Sequence, residues 1–164
     1  MVMEVKQTQW VSEAVKKMIM LPPGSNDVDG TALVMLPNGV LRVDLSALAA
    51  ANDIVAVQNP FGLDVLIAGV VIRIKTAGGT ATAVVDVDVV DGPTDTGDDI
   101  FDGVDANAAS VISSFAAGAG TNAEHTAWLW EKAGSTLDHL SSKLLVEAAP
   151  NLVAYLYVQI VPTE

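Results

Sequence analysis

The chain has 164 residues, a net charge of −12, no cysteine and 51% hydrophobic residues. The missing cysteine excludes a disulfide scaffold, a thiolate metal site and a cysteine nucleophile together. The length suits one ordinary domain, which buries roughly 70% of the surface its unfolded chain exposes.

Charged residues make up 17% of the chain, against about 25% in a typical soluble protein. Mean hydropathy is +0.42. Two readings compete: abundant small Ala and Val raise the score, or apolar surface is buried between subunits. The apolar stretch 65–72 ends at Arg73, far short of the ~18 residues a membrane span needs. Lys16 and Lys17 precede the apolar stretch 18–21, which is too short for a signal-peptide core and stops at Pro22 and Pro23. Synthesis in the cytosol is expected, with use there or release as part of a particle.

The charge is uneven. Residues 1–75 hold six Lys/Arg against seven Asp/Glu, whereas residues 76–164 hold two Lys against thirteen Asp/Glu. An acidic second half repels nucleic acid and anionic lipid, so neither is an expected partner.

In chain order, Val11, Ala14, Val15, Met18 and Ile19 follow the spacing of one helix face. Pro22-Pro23-Gly24 stops that helix, because proline supplies no N–H to continue it. Residues 1–24 thus read as an arm with a short amphipathic helix. Residues 25–52 read as a hairpin and connecting segment: strands 31–36 and 40–45 flank Pro37-Asn38-Gly39, and Asn-Gly favours a type I′ turn. Residues 46–51 suggest one helical turn.

Residues 53–164 read as a β domain. Strands are expected at 54–58, 66–75, 82–90, 110–115, 126–132, 143–148 and 152–161. Residues 100–109 give mixed signals, and 116–122 read as a loop. Arg73 and Lys75 alternate with Ile72 and Ile74; Asp86 and Asp88 alternate with Val85, Val87 and Val89. Strands 66–75 and 82–90 are expected to pair as a hairpin, basic against acidic. The fold expected is mainly β, an antiparallel sandwich of jelly-roll type preceded by the arm.

No spacing suggests catalysis. Eight aspartates fall between Asp86 and Asp105 without a cation. Asp86, Asp88 and Asp91-Gly92 are out of step with an EF-hand loop. A loop through Asp95, Asp98 and Asp99 could bind calcium, but a solvated, self-repelling loop is the expectation, with no metal or other cofactor. His125 and His139 each follow a carboxylate, Glu124 and Asp138. Neighbours along a strand point to opposite faces, so both histidines read as surface residues. There is no nucleophile elbow, phosphate loop or dinucleotide fingerprint. Trp128 and Trp130 share one strand face, as a core or subunit contact or as a platform for sugar rings. Tyr155 and Tyr157 share another, opposite Leu156, Val158 and Ile160, the aliphatic face being the expected core.

Asn59-Pro60-Phe61-Gly62, then Asp64, the apolar run 66–74, the Thr/Val/Asp strand 80–89, Asp102-Gly103-Val104-Asp105 and the closing strand 152–160 resemble small jelly-roll-like proteins of tailed-phage structural gene clusters. These are taken to be capsid decoration or head-fibre proteins. The resemblance covers residues 54–161 and supplies no catalytic residue. It implies a virion-surface protein, made in the host cytoplasm and assembled as a homo-oligomer, with a trimer expected, on a lattice of capsid protein. Nothing is carried over to the first 50 or so residues. From their own pattern, Trp10, Val11, Val15, Met18 and Ile19 are the expected partner-binding residues. The alternative expectation is a glycan- or receptor-binding sandwich using Trp128 and Trp130.

Overall fold

A computed structural model describes residues 33–36, 39–79, 82–115 and 127–163. The arm residues Trp10, Val11, Val15, Met18 and Ile19, the loop at 116–122 and His125 lie outside them. Ten strands and no helix occur among the described residues. They are β1 (Leu33–Met35), β2 (Val40–Asp44), β3 (Ile54–Gln58), β4 (Val65–Thr76) and β5 (Val84–Val90), followed by β6 (Phe101–Asp105), β7 (Ser110–Ser113), β8 (Trp128–Trp130), β9 (His139–Leu145) and β10 (Val153–Pro162).

The strands form two antiparallel sheets. One runs β1-β2-β10-β4-β7, with β8 also on β4; the other runs β3-β9-β5-β6. The pairings are nested. β2 pairs with β10, β3 with β9, β4 with β7 and β8, and β5 with β6. This is the pattern of one long hairpin. The hairpin is then rolled, so that β10 also meets β4 and β9 also meets β5.

Alternation decides which side of each strand is buried. Leu41 and Val43 on β2, Val70, Ile72 and Ile74 on β4, and Leu156 and Val158 on β10 are buried; so are Val85 and Val87 on β5 and Leu140 and Leu144 on β9. These residues of both sheets join a single hydrophobic cluster. The aliphatic face of β10 is therefore the core face, as its alternation predicts.

The expected hairpin of β4 with β5 does not form: the two strands belong to different sheets. Both edges of β4 are taken, one by β10 and the other by β7 and β8. Asp86 instead stands opposite Lys143 on β9, and Arg73 stands between Tyr155 and Val111. Opposite charges on two strands favour pairing but do not choose the partner, because Lys143 serves as well as Arg73 or Lys75.

Local expectations fare variously. The β1–β2 hairpin forms, with the Gly39 N–H donating to the Leu36 carbonyl at 3.1 Å and Gly39 at φ 77°. Gly39 is thus the fourth residue of the turn, not a central one, and its left-handed backbone needs glycine. Residues 46–51 form turns rather than a helical turn: the Asp53 carboxylate accepts from the Ala49 and Ala50 N–H groups at 2.9 and 2.6 Å. β9 begins at His139, four residues before the strand expected at 143–148. Its two serines hid it, since serine carries no strand preference of its own. Residues 101–105, unresolved by sequence, form β6.

Candidate interaction surface

The outer faces of the two sheets differ in what covers them. On the four-stranded sheet, Ala56, Ser141, His139 and Val90 point away from the core yet are buried. The loop 91–99 crosses this face, and the Ser141 hydroxyl donates to the Asp95 carbonyl at 2.9 Å. Gly97 lies against Asp88 so closely that a β-carbon there would collide with Oδ2. The outside of that loop and of β6 is acidic, with Asp91, Asp95, Asp98, Asp99, Asp102 and Asp105 all exposed.

Burial pushes the Asp88 carboxyl up to about 6. The negative charges of Asp98 and Asp99 add to this, against hydrogen bonds from the Val89 and Asp99 N–H groups. Asp86 is raised too, first by burial and then by Asp102 and Asp98, while Gly103 N–H and Lys143 pull it down. Among the described residues, no three His, Asp or Glu side chains converge so as to hold a metal ion.

The six-stranded sheet is different. Val111 is 68% exposed, Phe115 54%, Val161 43% and Leu129 39%, all on or beside its outer face. The register arranges this face in rows. Leu129, Leu66 and Val161 lie side by side across β8, β4 and β10. Val111, Arg73, Tyr155 and Asp44 form a second row, and Ser113, Val71, Tyr157 and Arg42 a third. The Phe115 ring fills the place above Gly69, where a β-carbon would fall inside it. The Arg42 guanidinium stacks on the Tyr155 ring, 5.2 Å from its centroid. Arg42, Arg73 and Lys75 make this the cationic side of an acidic chain.

Aromatic residues and arginine beside exposed aliphatic groups are the composition of a protein–protein contact. Sequence alternation exposed part of this site, namely Tyr155, Tyr157, Arg73 and Lys75. It missed Val111, Phe115 and Leu129, since no local signal tells that β7 and β8 both flank β4.

The tryptophans do not form an exposed platform. Trp130 is fully buried and Trp128 packs against the core. On β8 they stand opposite the inward-facing Val65 and Ile67. Trp130 Nε1–H donates to the Asp138 carbonyl at 2.9 Å, and Phe61 meets its ring edge-on at 6.1 Å. A buried indole has no face for a sugar.

Asp138 and His139 also depart from expectation. Both are buried, and His139 Nδ1–H donates to Asp138 Oδ1 at 2.5 Å. Asp138 precedes β9 rather than lying within it, so strand alternation does not separate the two side chains. Its Oδ2 accepts from Gln58 Nε2 at 3.0 Å and from the Gly134 N–H at 2.7 Å. Burial alone would push the Asp138 carboxyl up; together the hydrogen bonds from Gly134, Gln58 and His139 outweigh it and hold the carboxyl below the usual range. Asn59 completes the knot, donating to the Trp130 and Leu63 carbonyls at 2.8 and 3.1 Å. With all these partners inside the chain, the cluster ties β3, β8 and β9 together.

The chain matches no protein-family profile, no curated protein and no solved structure.

Proposed function

We propose that the protein is a structural component of a phage particle, a jelly-roll-like sandwich that docks on the capsid surface to decorate or cement it. The nested strand pairing, with one long hairpin rolled into two sheets, supports the jelly-roll reading. That fold serves shells and lectins alike, so it does not choose the function by itself. The observation that carries the reading is the outer face of the six-stranded sheet, where, among the described residues, Val111, Leu129 and Val161 are exposed beside Tyr155, Tyr157, Arg42 and Arg73. An isolated domain gains nothing by leaving such a patch in water, whereas an assembling one buries it on docking. The acidic opposite face suits a position away from packaged nucleic acid. The arm residues Trp10, Val11, Val15, Met18 and Ile19 are assigned to the shell itself.

Added interface area spanning neighbouring subunits would stabilise the shell by mass action. Antibodies against the purified chain, used in immunogold labelling of intact particles from its source, are the direct test. Regular labelling of the head is expected. Unlabelled particles whose proteins include no copy of the chain would overturn the reading. The glycan-binding alternative is disfavoured by the burial of Trp130.

A further inference from the structure

The same molecule carries two outer faces of opposite charge. The outer face of the six-stranded sheet holds Arg42, Arg73 and Lys75, three of the five Lys and Arg among the described residues, the others being Lys132 and Lys143. The acidic residue in register with them is Asp44. The outer side of the four-stranded sheet holds six exposed aspartates between Asp91 and Asp105. The inner faces of both sheets meet in one core, so the two outer faces point away from each other. One molecule cannot satisfy its own cations with its own loop carboxylates. A neighbour can.

We propose that the apolar, cationic outer face of the six-stranded sheet binds the acidic 91–105 side of a second copy of this chain, head to tail. This rests on the assembly reading above and names the occupant of its surface. Val111, Leu129 and Val161 supply the apolar contact, and Arg73 and Lys75 supply register and orientation against Asp99 and Asp102. Such a contact uses two different patches, so it is heterologous: repeated, it closes into a ring or runs on as a filament. Because the two faces point away from each other, the contact favours an open stack over the closed trimer expected above. The loop carboxylates already repel one another around Asp88 and Asp86, and cations from a neighbour relieve that repulsion.

Two charge-reversed proteins test this. Arg73→Glu/Lys75→Glu loses the cationic face and keeps the acidic one; Asp99→Lys/Asp102→Lys does the opposite. All four positions are exposed, and circular dichroism checks that each protein folds. Light scattering after size exclusion is expected to give an oligomer for the native chain. Its association should weaken about tenfold when salt rises from about 0.05 to about 0.5 M. Each variant alone should be monomeric. Their equimolar mixture should associate again, because the intact acidic side of one meets the intact cationic face of the other, and the two reversed patches are complementary as well. If a reversed protein misfolds, Arg73→Gln/Lys75→Gln and Asp99→Asn/Asp102→Asn give the same reading through weakened self-association.

A native chain that stays monomeric at millimolar concentration overturns the proposal. So does self-association by Asp99→Lys/Asp102→Lys, which would mean a symmetric contact of the cationic face. Two monomeric variants that do not pair when mixed overturn it as well. Association lost only on removing residues 1–24 would make the N-terminal segment the occupant instead. The particle-labelling result is independent of all these outcomes, so the two readings fail separately.

Discussion

Asp138 and Asp88 show how one residue type takes opposite roles in two settings. Asp138 is buried but receives three hydrogen bonds, so its charged form is stabilised by folding. Replacing it with alanine leaves the Gly134 N–H and the His139 ring without their acceptor. A loss of about 3 kcal/mol is expected in urea denaturation at pH 7. The depressed carboxyl also stabilises the fold above the unfolded carboxyl range near pH 4 and ceases to do so as pH falls through its folded value. Wild type should therefore lose stability below about pH 4, with a flatter response for Asp138→Ala.

Asp88 works the other way. Its folded carboxyl titrates at about 6 against an ordinary value of 3.8, so the ionised form costs stability at pH 7. That cost disappears as pH falls from 7 toward 4, because the folded state takes up the proton first. Asp88→Asn is expected to raise stability at pH 7 by on the order of 1 kcal/mol, allowing for solvent screening. It should also flatten the denaturation midpoint between pH 6 and 4. A variant less stable than wild type at pH 7 would contradict the assignment.

Among the elements, the 91–99 loop and β9 depend on each other. The loop lies over Ser141, and β9 supplies the hydroxyl that holds the loop at Asp95. Gly97→Ala forces a β-carbon into the Asp88 carboxylate. A cost of about 1–3 kcal/mol is expected, with faster amide exchange in the loop and at Ser141 while β10 and β4 keep their protection. Gly69→Ala displaces the Phe115 ring instead. That ring is half exposed and can swing into solvent, so the thermal midpoint should move little, while any binding through the outer face of the six-stranded sheet should weaken. A large loss of stability in Gly69→Ala would show that Phe115 belongs to the core rather than to the surface.

The elements also show where local sequence is informative. Asn59-Pro60-Phe61-Gly62 ends β3 because its side chains and turn residues act on their immediate neighbours; Asn59 Oδ1 accepts from the Phe61 N–H at 2.9 Å. The alternation of β4, β5 and β10 was equally plain, since burial of one strand face imposes a period of two. β9 was half-missed, because Ser141 and Ser142 acquire their burial from a loop some 46 residues earlier and from the core. The Asp138–His139 contact was misread for the same kind of reason: it depends on where β9 begins.

At the scale of the whole molecule, the described residues divide into two sheets of opposite outer character, and the sequence pattern of residues 1–24 suits attachment. Deleting residues 1–24 is expected to abolish capture on particles while leaving the β circular dichroism spectrum and the thermal midpoint unchanged. Capture that persists would move attachment from the arm to the sheet faces.

By itself, the sequence determined that the protein is mainly β, which residues of most strands face inward, and that its second half is acidic; composition and alternation are properties of single segments. Strand partnership was decided only in the tertiary structure. Arg73 and Lys75 could have paired with Asp86 and Asp88 as neighbours, yet lie on opposite sides of the molecule. The reason is that β4 has two edges, and β10, β7 and β8 fill both when the long hairpin rolls up. That competition is global, and it separates the cationic face from the acidic one.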